Sequence, residues 1–532
     1  MTDDGVPSPS SESSTALAGP PPAPPVPAVP APATALRPAA TALPPRPPSP
    51  LTRALSAFWA EREPITAPVL VGGLAVGVAG GALVVGHRPG LGVAVVALLV
   101  AALATPAMVR RHAVGDLVSL ALAVALVGVL AVRDAGWVVA LSLLTAAGVG
   151  AMAVTSARSA PAVLLGGLSW LLGALRATRW VGRGIGALAG SRRGRLLGMG
   201  RSVLVTVVLL TVFGLLFASA DAVFASYLAR LEADLLPGRV VVGLLVLLVA
   251  LTAAHLAAAP PGWSALGPPP GRPAGRAEWL LPVLALDALV VAFVLVQVGA
   301  LVGGHRYVLA TAGLSYATYA REGFAQLVAV TALTLVVIGV AARRAPRGTA
   351  RDRWETGVAL AVLCVGTLGV VASALRRMDL YVEAFGLTRL RVLVVVAEVA
   401  MAVVLVLVMA AGVRWRGAWL PRAVVQVVAV ATLVLAAVNP DALIVRHNTT
   451  ADLAVALDVG YLQGLSADAV PAMAETDEPW RSRLLTCARV DPDPGWAGWN
   501  LGRDRAADVL ADADLPGFGP GAGCERPGLD GF

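Results

Sequence analysis

Two carboxyl groups sit where an ionised side chain is least comfortable. Asp287 and Glu398 lie inside long apolar runs, each roughly seven or eight residues from the start of its run. An ionisable group at that depth is a candidate proton or ion relay, with polar packing or an arginine partner as the competing expectation. Arg391 precedes Glu398 by seven residues on the same helical face and is the structural partner expected for it. Gln297, Gln326 and Gln426 are placed to hydrogen-bond between helices. A second group combines Arg376, Arg377, Arg389 and Arg391 with Asp379, Glu383 and Tyr381. Arginine clusters suit phosphate or carboxylate ligands, and local ion pairs that fix a loop are the alternative. Of the three cysteines, Cys364 is in an apolar run, while Cys487 and Cys524 are in a polar tail and are candidates for a disulfide. No Cys-x-x-Cys pair occurs, so neither a metal site nor a thioredoxin-type site is expected.

Composition narrows the chemistry further. The net charge is +8 and the chain contains no lysine, so all 41 basic residues are arginine. Phosphate loops that need lysine, Schiff-base chemistry and kinase-type lysines are thereby excluded. Gly182, Gly184 and Gly186 imitate part of a dinucleotide loop, but no strand precedes them, and no cofactor is expected. The arginines sit in short loops between apolar runs, where they orient helices and meet anionic headgroups, so nucleic acid is not an expected partner.

These residues must be positioned by an all-α, polytopic transmembrane helix bundle. Hydrophobic residues make up 57% of the 532 positions and charged residues 14%, which excludes a soluble enzyme, a disordered protein and a fibre. About eleven runs reach the length a helix needs to cross a bilayer. They are read at 65–86, 91–109, 114–132, 136–154, 202–220, 240–259, 279–301, 324–342, 356–375, 391–413 and 420–438. Residues 1–63 form a proline- and alanine-rich tail with no core to bury, expected to be disordered and cytoplasmic. The bundle occupies 64–438, and 439–532 form a small, polar, helical C-terminal domain. Gly73, Gly77 and Gly81 recur every four residues in the first span, a pattern for close helix packing.

Residues 161–175 are apolar, yet as a helix they rise only about 22 Å. Leu164, Leu165, Leu168, Leu171, Leu172 and Leu175 form one stripe, with Trp170 beside them and Arg176 and Arg179 following. That pattern predicts a helix lying in the membrane interface. Arginines then fall mostly in loops on the N-terminal side of the membrane, which predicts a bacterial plasma-membrane protein with its N-terminus in the cytoplasm and its C-terminus outside.

Four stretches resemble a bacterial multi-pass membrane family known only as domain-of-unknown-function group 4153/4173. They are Leu216 to Phe224, Ser315 to Phe324, Tyr381 to Arg391, and Asn439-Pro440-Asp441 with Asn448, Asp458, Tyr461, Ser466 and Asp468. The resemblance implies the membrane fold but supplies no activity. All four stretches fall on the expected outer face. Asp221, Tyr316, Tyr319, Arg321, Glu322, Arg376, Arg377, Tyr381, Glu383 and Arg389 are therefore candidate ligand-binding residues on one surface, or else ties between loops and tail in a structural cap. The leading expectation is a non-enzymatic cell-envelope binding, sensing or organising protein, partnered by the bilayer and by an envelope protein or anionic ligand. The alternatives are a secondary transporter using Asp287 and Glu398, and a transferase or hydrolase acting on a lipid-linked substrate through Asp221 or Glu322. The oligomeric state is not legible.

Overall fold

The computed structural model describes residues 58–59, 65–189, scattered positions from 202 to 221, 235–263, 275–312, 324–346, 348–415, 417–488, 490 and 495–513. Among them there is no strand. The long helices are α1 (Ala67–Val84), α2 (Leu91–Arg110), α3 (Val114–Gly128, extended by a tight turn to Ala131), α4 (Gly136–Thr155), α5 (Ala160–Ala189) and α6 (Leu236–Ala258). They continue with α7 (Arg276–Ala312), α8 (Phe324–Arg344), α9 (Ala350–Phe385), α10 (Arg389–Val413) and α11 (Leu420–Val438). Short helices α12 (Pro440–Thr450), α13 (Val459–Gln463), α14 (Val470–Ala474), α15 (Trp480–Leu485) and α16 (Leu501–Asp512) form a cap. Eleven described helices are long and apolar enough to cross a membrane. The chain is a multi-pass integral membrane protein.

Local sequence sets the helix ends. Thr349 accepts from the Asp352 amide while the Asp352 carboxylate accepts from Thr349 N, a capping box that starts α9. Thr388 caps α10. Asn439 takes positive φ, caps α12 with its side chain, and is followed by proline at the first helical position. The repeating glycines of α1 perform the packing the sequence suggests. A Cβ on Gly77 would lie 3.0 Å from the Gly243 carbonyl oxygen, and one on Gly81 would collide with the Arg239 carbonyl, so α1 and α6 approach backbone to backbone. Between spans, Gln426 bonds Ser119 and Gln297 accepts from Ser373.

Two expectations are corrected here. The segment read as residues 161–175 is a 30-residue helix, α5, about 45 Å long, so it is not short for a span. Its contacts lie at one end of the bundle. Gly166 lies beside Thr155 at the end of α4, Gly173 packs on Leu256 near the end of α6, and Gly184 packs on Ile65 just before α1. The Trp180 ring is 5.1 Å from that of His255. Every partner belongs to the same end of the bundle, so α5 runs along that end rather than through it. Its small buried stripe, Ala162, Gly166, Ser169, Gly173 and Ala177, faces the bundle, while the six leucines are exposed. Gly86 contacts Leu235, so α6 begins at the far end of the bundle from α5. The span read at 202–220 lies largely outside the described residues.

The second correction concerns the expected loop holding Arg376, Arg377, Arg389 and Arg391. The first two belong to α9, a 36-residue helix, and the last two to the first turn of α10. Only residues 386–388 connect the two helices.

Candidate functional site at the cap–bundle junction

The cap is tied to one end of the bundle by buried polar groups rather than laid over it. Leu435 of α11 and Val392 of α10 share a buried core with Ile444, Leu462, Met473 and Leu484 of the cap. At the centre is Asp441, fully buried. Its Oδ1 accepts from Arg389 Nε at 3.0 Å and from Trp137 Nε1 at 3.2 Å, and its Oδ2 accepts from Arg389 Nη2 at 2.7 Å and from Ser466 N at 2.9 Å. Burial alone would push this carboxyl up, but the Arg389 guanidinium and the Ser466 bonds outweigh it and hold Asp441 below the usual carboxylate range. Tyr461 Oη accepts from Arg389 N at 2.9 Å, and Asn448 bonds both the amide and the carbonyl of Leu387. One arginine at the start of α10 thereby joins α4, α10, α12 and α13.

A second anchor uses Asp468. Its Oδ2 accepts from the backbone amides of Asp134 and Ala135, both at 2.8 Å, and its Oδ1 is buried without a partner. Burial raises its pKa, and the two amides offset this only in part. Asn500 donates to the Leu130 and Arg133 carbonyls, and Arg503 bridges Asp134, Pro89 O and Gly498 O. The turns after α1 and α3 and the turn before α10 are all bound to the cap.

Of the sequence-derived candidates, Arg389 is therefore committed to the cap. Arg391 donates to the Phe385 and Gly386 carbonyls and stacks 4.1 Å over the Tyr381 ring. It does not pair with Glu398, contrary to expectation. Arg376 pairs with Asp379 at 2.5 Å, Arg377 donates to Gln297, and Glu383 is exposed. An open cavity of about 510 Å³ lies beside them, lined by Leu375, Arg376, Met378, Asp379, Val382, Leu387 and Val395. Asp221 is exposed at the end of its segment. Tyr316, Tyr319, Arg321 and Glu322 lie outside the described residues, as does Cys524, whereas Cys487 is disulfide-bonded and Cys364 is free and buried.

Glu398 is completely buried and neither of its oxygens has a hydrogen-bond partner; Asp287 is buried with Oδ1 unpartnered. The two do not form one site. Gly366 packs on Val290 and Gly369 on Val294, which sets Asp287 level with roughly residue 363 of α9. The three-residue connection sets Glu398 level with roughly residue 376, about 20 Å further along the axis.

Sequence reading missed a buried pair at the other end. Asp116, in the first turn of α3, is 1% exposed and pairs with Arg422, and Ser156 Oγ donates to it at 2.6 Å. An acidic residue near a span start had been available as a signal. Among the described residues no group of His, Cys, Asp and Glu is arranged to hold a metal ion.

A family model described as "Domain of unknown function (DUF4153)" matches residues 121–476. That range contains α4 to α14, and therefore both halves of the Arg389–Asp441 anchor. No curated protein and no solved structure matches the chain.

Proposed function

The chain belongs to the DUF4153 family, and from its geometry we propose that it is a cell-envelope binding or organising protein of the bacterial plasma membrane. In this reading the capped end faces outward and the end bearing α5 faces the cytoplasm. Arginine placement supports that orientation: Arg110, Arg111, Arg158, Arg179, Arg343 and Arg344 all lie at the α5 end. One observation carries the functional reading. Beside a cap fixed by buried bonds, an open cavity displays the Arg376–Asp379 pair among apolar side chains, with Glu383 exposed one turn away. An open concavity with a few charged groups suits a partner segment or an anionic ligand.

The test is photo-crosslinking in intact cells from Val382 replaced by a photoreactive residue, in the parent and in Arg376→Glu and Glu383→Arg variants. A discrete adduct that both variants lose, while insertion and melting stay unchanged, is the expected result. Adducts unaffected by either variant would overturn the reading. Orientation is checked separately with a membrane-impermeant thiol reagent, which should reach Cys487 in intact cells after reduction.

Glu398 favours a second reading, a secondary transporter. A wholly buried carboxyl without a hydrogen-bond partner inside a membrane span is a group that a proton or cation can occupy. Proteoliposomes should then show a proton or solute flux that Glu398→Gln abolishes. Equal flux in the parent and the variant would remove this reading.

A further inference from the structure

At the end of the bundle opposite the cap, a cavity of about 540 Å³ opens between α8, α9 and α10. Its mouth carries Arg353, Trp354 and Trp415, and its deep end is closed by Ile338, Cys364 and Met409. From Arg353 to Cys364 the wall of α9 rises about 16 Å, half of a hydrocarbon core of about 30 Å. The cavity is thus as deep as one leaflet. Trp354 is 68% exposed at the level where tryptophan meets headgroups.

Charge at the mouth selects the headgroup. Arg343, Arg344, Arg353 and Arg414 are exposed around it, while the nearby Glu355 is occupied by Arg276 and Arg351. A groove of similar size between α10 and α11, about 550 Å³, is lined by valine, alanine, leucine and Gln426 and carries no charged residue. That groove can cover acyl chains but cannot distinguish their headgroups. We propose that the cavity between α8, α9 and α10 is a binding site for an anionic phospholipid of the adjoining leaflet, with one acyl chain reaching Cys364 and the phosphate held by the arginines at the mouth. The tryptophans at the rim flank the glycerol region, and the arginines supply charge-assisted bonds to phosphate oxygens.

Two glycines allow a clean perturbation. A Cβ on Gly357 would meet only Trp415, at 4.0 Å, and one on Gly412 would meet nothing within 4 Å, so leucine at either position fills the cavity without a backbone clash. The full-length protein is placed in nanodiscs containing phosphatidylglycerol or phosphatidylcholine with a diazirine at mid-chain, irradiated and mapped by peptide. Adducts from the phosphatidylglycerol probe should concentrate on residues 357–364 and 408–413, several-fold above those from phosphatidylcholine. Gly357→Leu should remove them, and Arg353→Gln combined with Arg414→Gln should erase the headgroup preference while leaving the chain position unchanged. Adducts spread evenly over the lipid-facing helices, equal yields from the two probes, or an undiminished yield in Gly357→Leu would each overturn the proposal.

Discussion

Asp441→Asn changes one oxygen to nitrogen at a point where four donors converge: two from Arg389, one from Trp137 and one from Ser466 N. The amide keeps one acceptor and turns an NH2 toward donors, leaving the Arg389 charge without a counter-ion. Breaking a buried pair in this way costs about 3–5 kcal/mol. The Arg389 side chain is 35% exposed and can recover some hydration, so the lower end, about 3 kcal/mol, is expected. Every 1.4 kcal/mol is about tenfold, so the population with the cap detached should rise about 100-fold. Proteolysis of a transiently opened segment tracks that population when reclosing is fast, which makes cleavage between α12 and α16 in detergent micelles the assay. The double variant Asp441→Leu with Arg389→Met should recover most of the loss, because an apolar pair of similar volume replaces both charges. A single variant that opens within about threefold of the parent, or a double variant no better than the single, would refute the view that this pair holds the cap.

Acidification should reveal both carboxyl anchors, with opposite signs. Asp441 has a depressed pKa, so its contribution is present above the usual aspartate value of about 4 and is lost as pH falls through the lower folded value. Asp468 has a raised pKa, so its contribution is present below the usual value and is lost as pH rises through the folded one. Cap proteolysis against pH should lose its acid limb in Asp441→Asn and its upper limb in Asp468→Asn. At the α1–α6 contact, Gly77→Leu should lower the melting temperature by an amount corresponding to overpacking of about 1–3 kcal/mol. Gly148→Ala, where nothing lies within 4 Å, should leave it unchanged or raise it. For α5, spin labels at residues 164, 172 and 179 should report one bilayer depth apart from the helical periodicity; a monotonic change approaching 22 Å, the rise over fifteen residues, would mean that α5 crosses the membrane.

Spans and their pairing rules were legible because hydrophobic length and glycine spacing are local properties. Gly77 is an example: its neighbours along the chain already place it on a stripe of small residues, and Gly243 completes the contact. The leucine stripe of α5 was also legible, but its length was not, because Arg176, Arg179 and Arg183 read equally well as the end of a helix or as its solvated continuation. The site was harder. Arg389 and Asp441 are 52 residues apart, and no local pattern distinguishes an arginine waiting for a ligand from one already claimed by a distant carboxylate. The same residues that drew attention as ligand-binding candidates, Arg389 and Tyr381, are held inside the structure by Asp441 and Arg391. Arg376 and Glu383, which looked no different in sequence, remain at the surface beside the cavity.

The reach of the cap has a consequence for how the protein is made. Arg503 binds the Pro89 carbonyl across 414 residues, Asn500 binds Leu130 across 370, and Asp441 binds Arg389 across 52. Every one of these partners enters the membrane before the cap leaves the ribosome. Until translation reaches α16, the Pro89, Leu130 and Arg133 carbonyls and the Asp134 carboxylate at that end of the bundle lack their Asn500 and Arg503 partners and lie exposed to whatever proteases share the compartment. Closing the cap therefore distinguishes finished chains from interrupted ones: a chain cut short within its last fifty described residues would insert normally yet remain open to degradation at its turns.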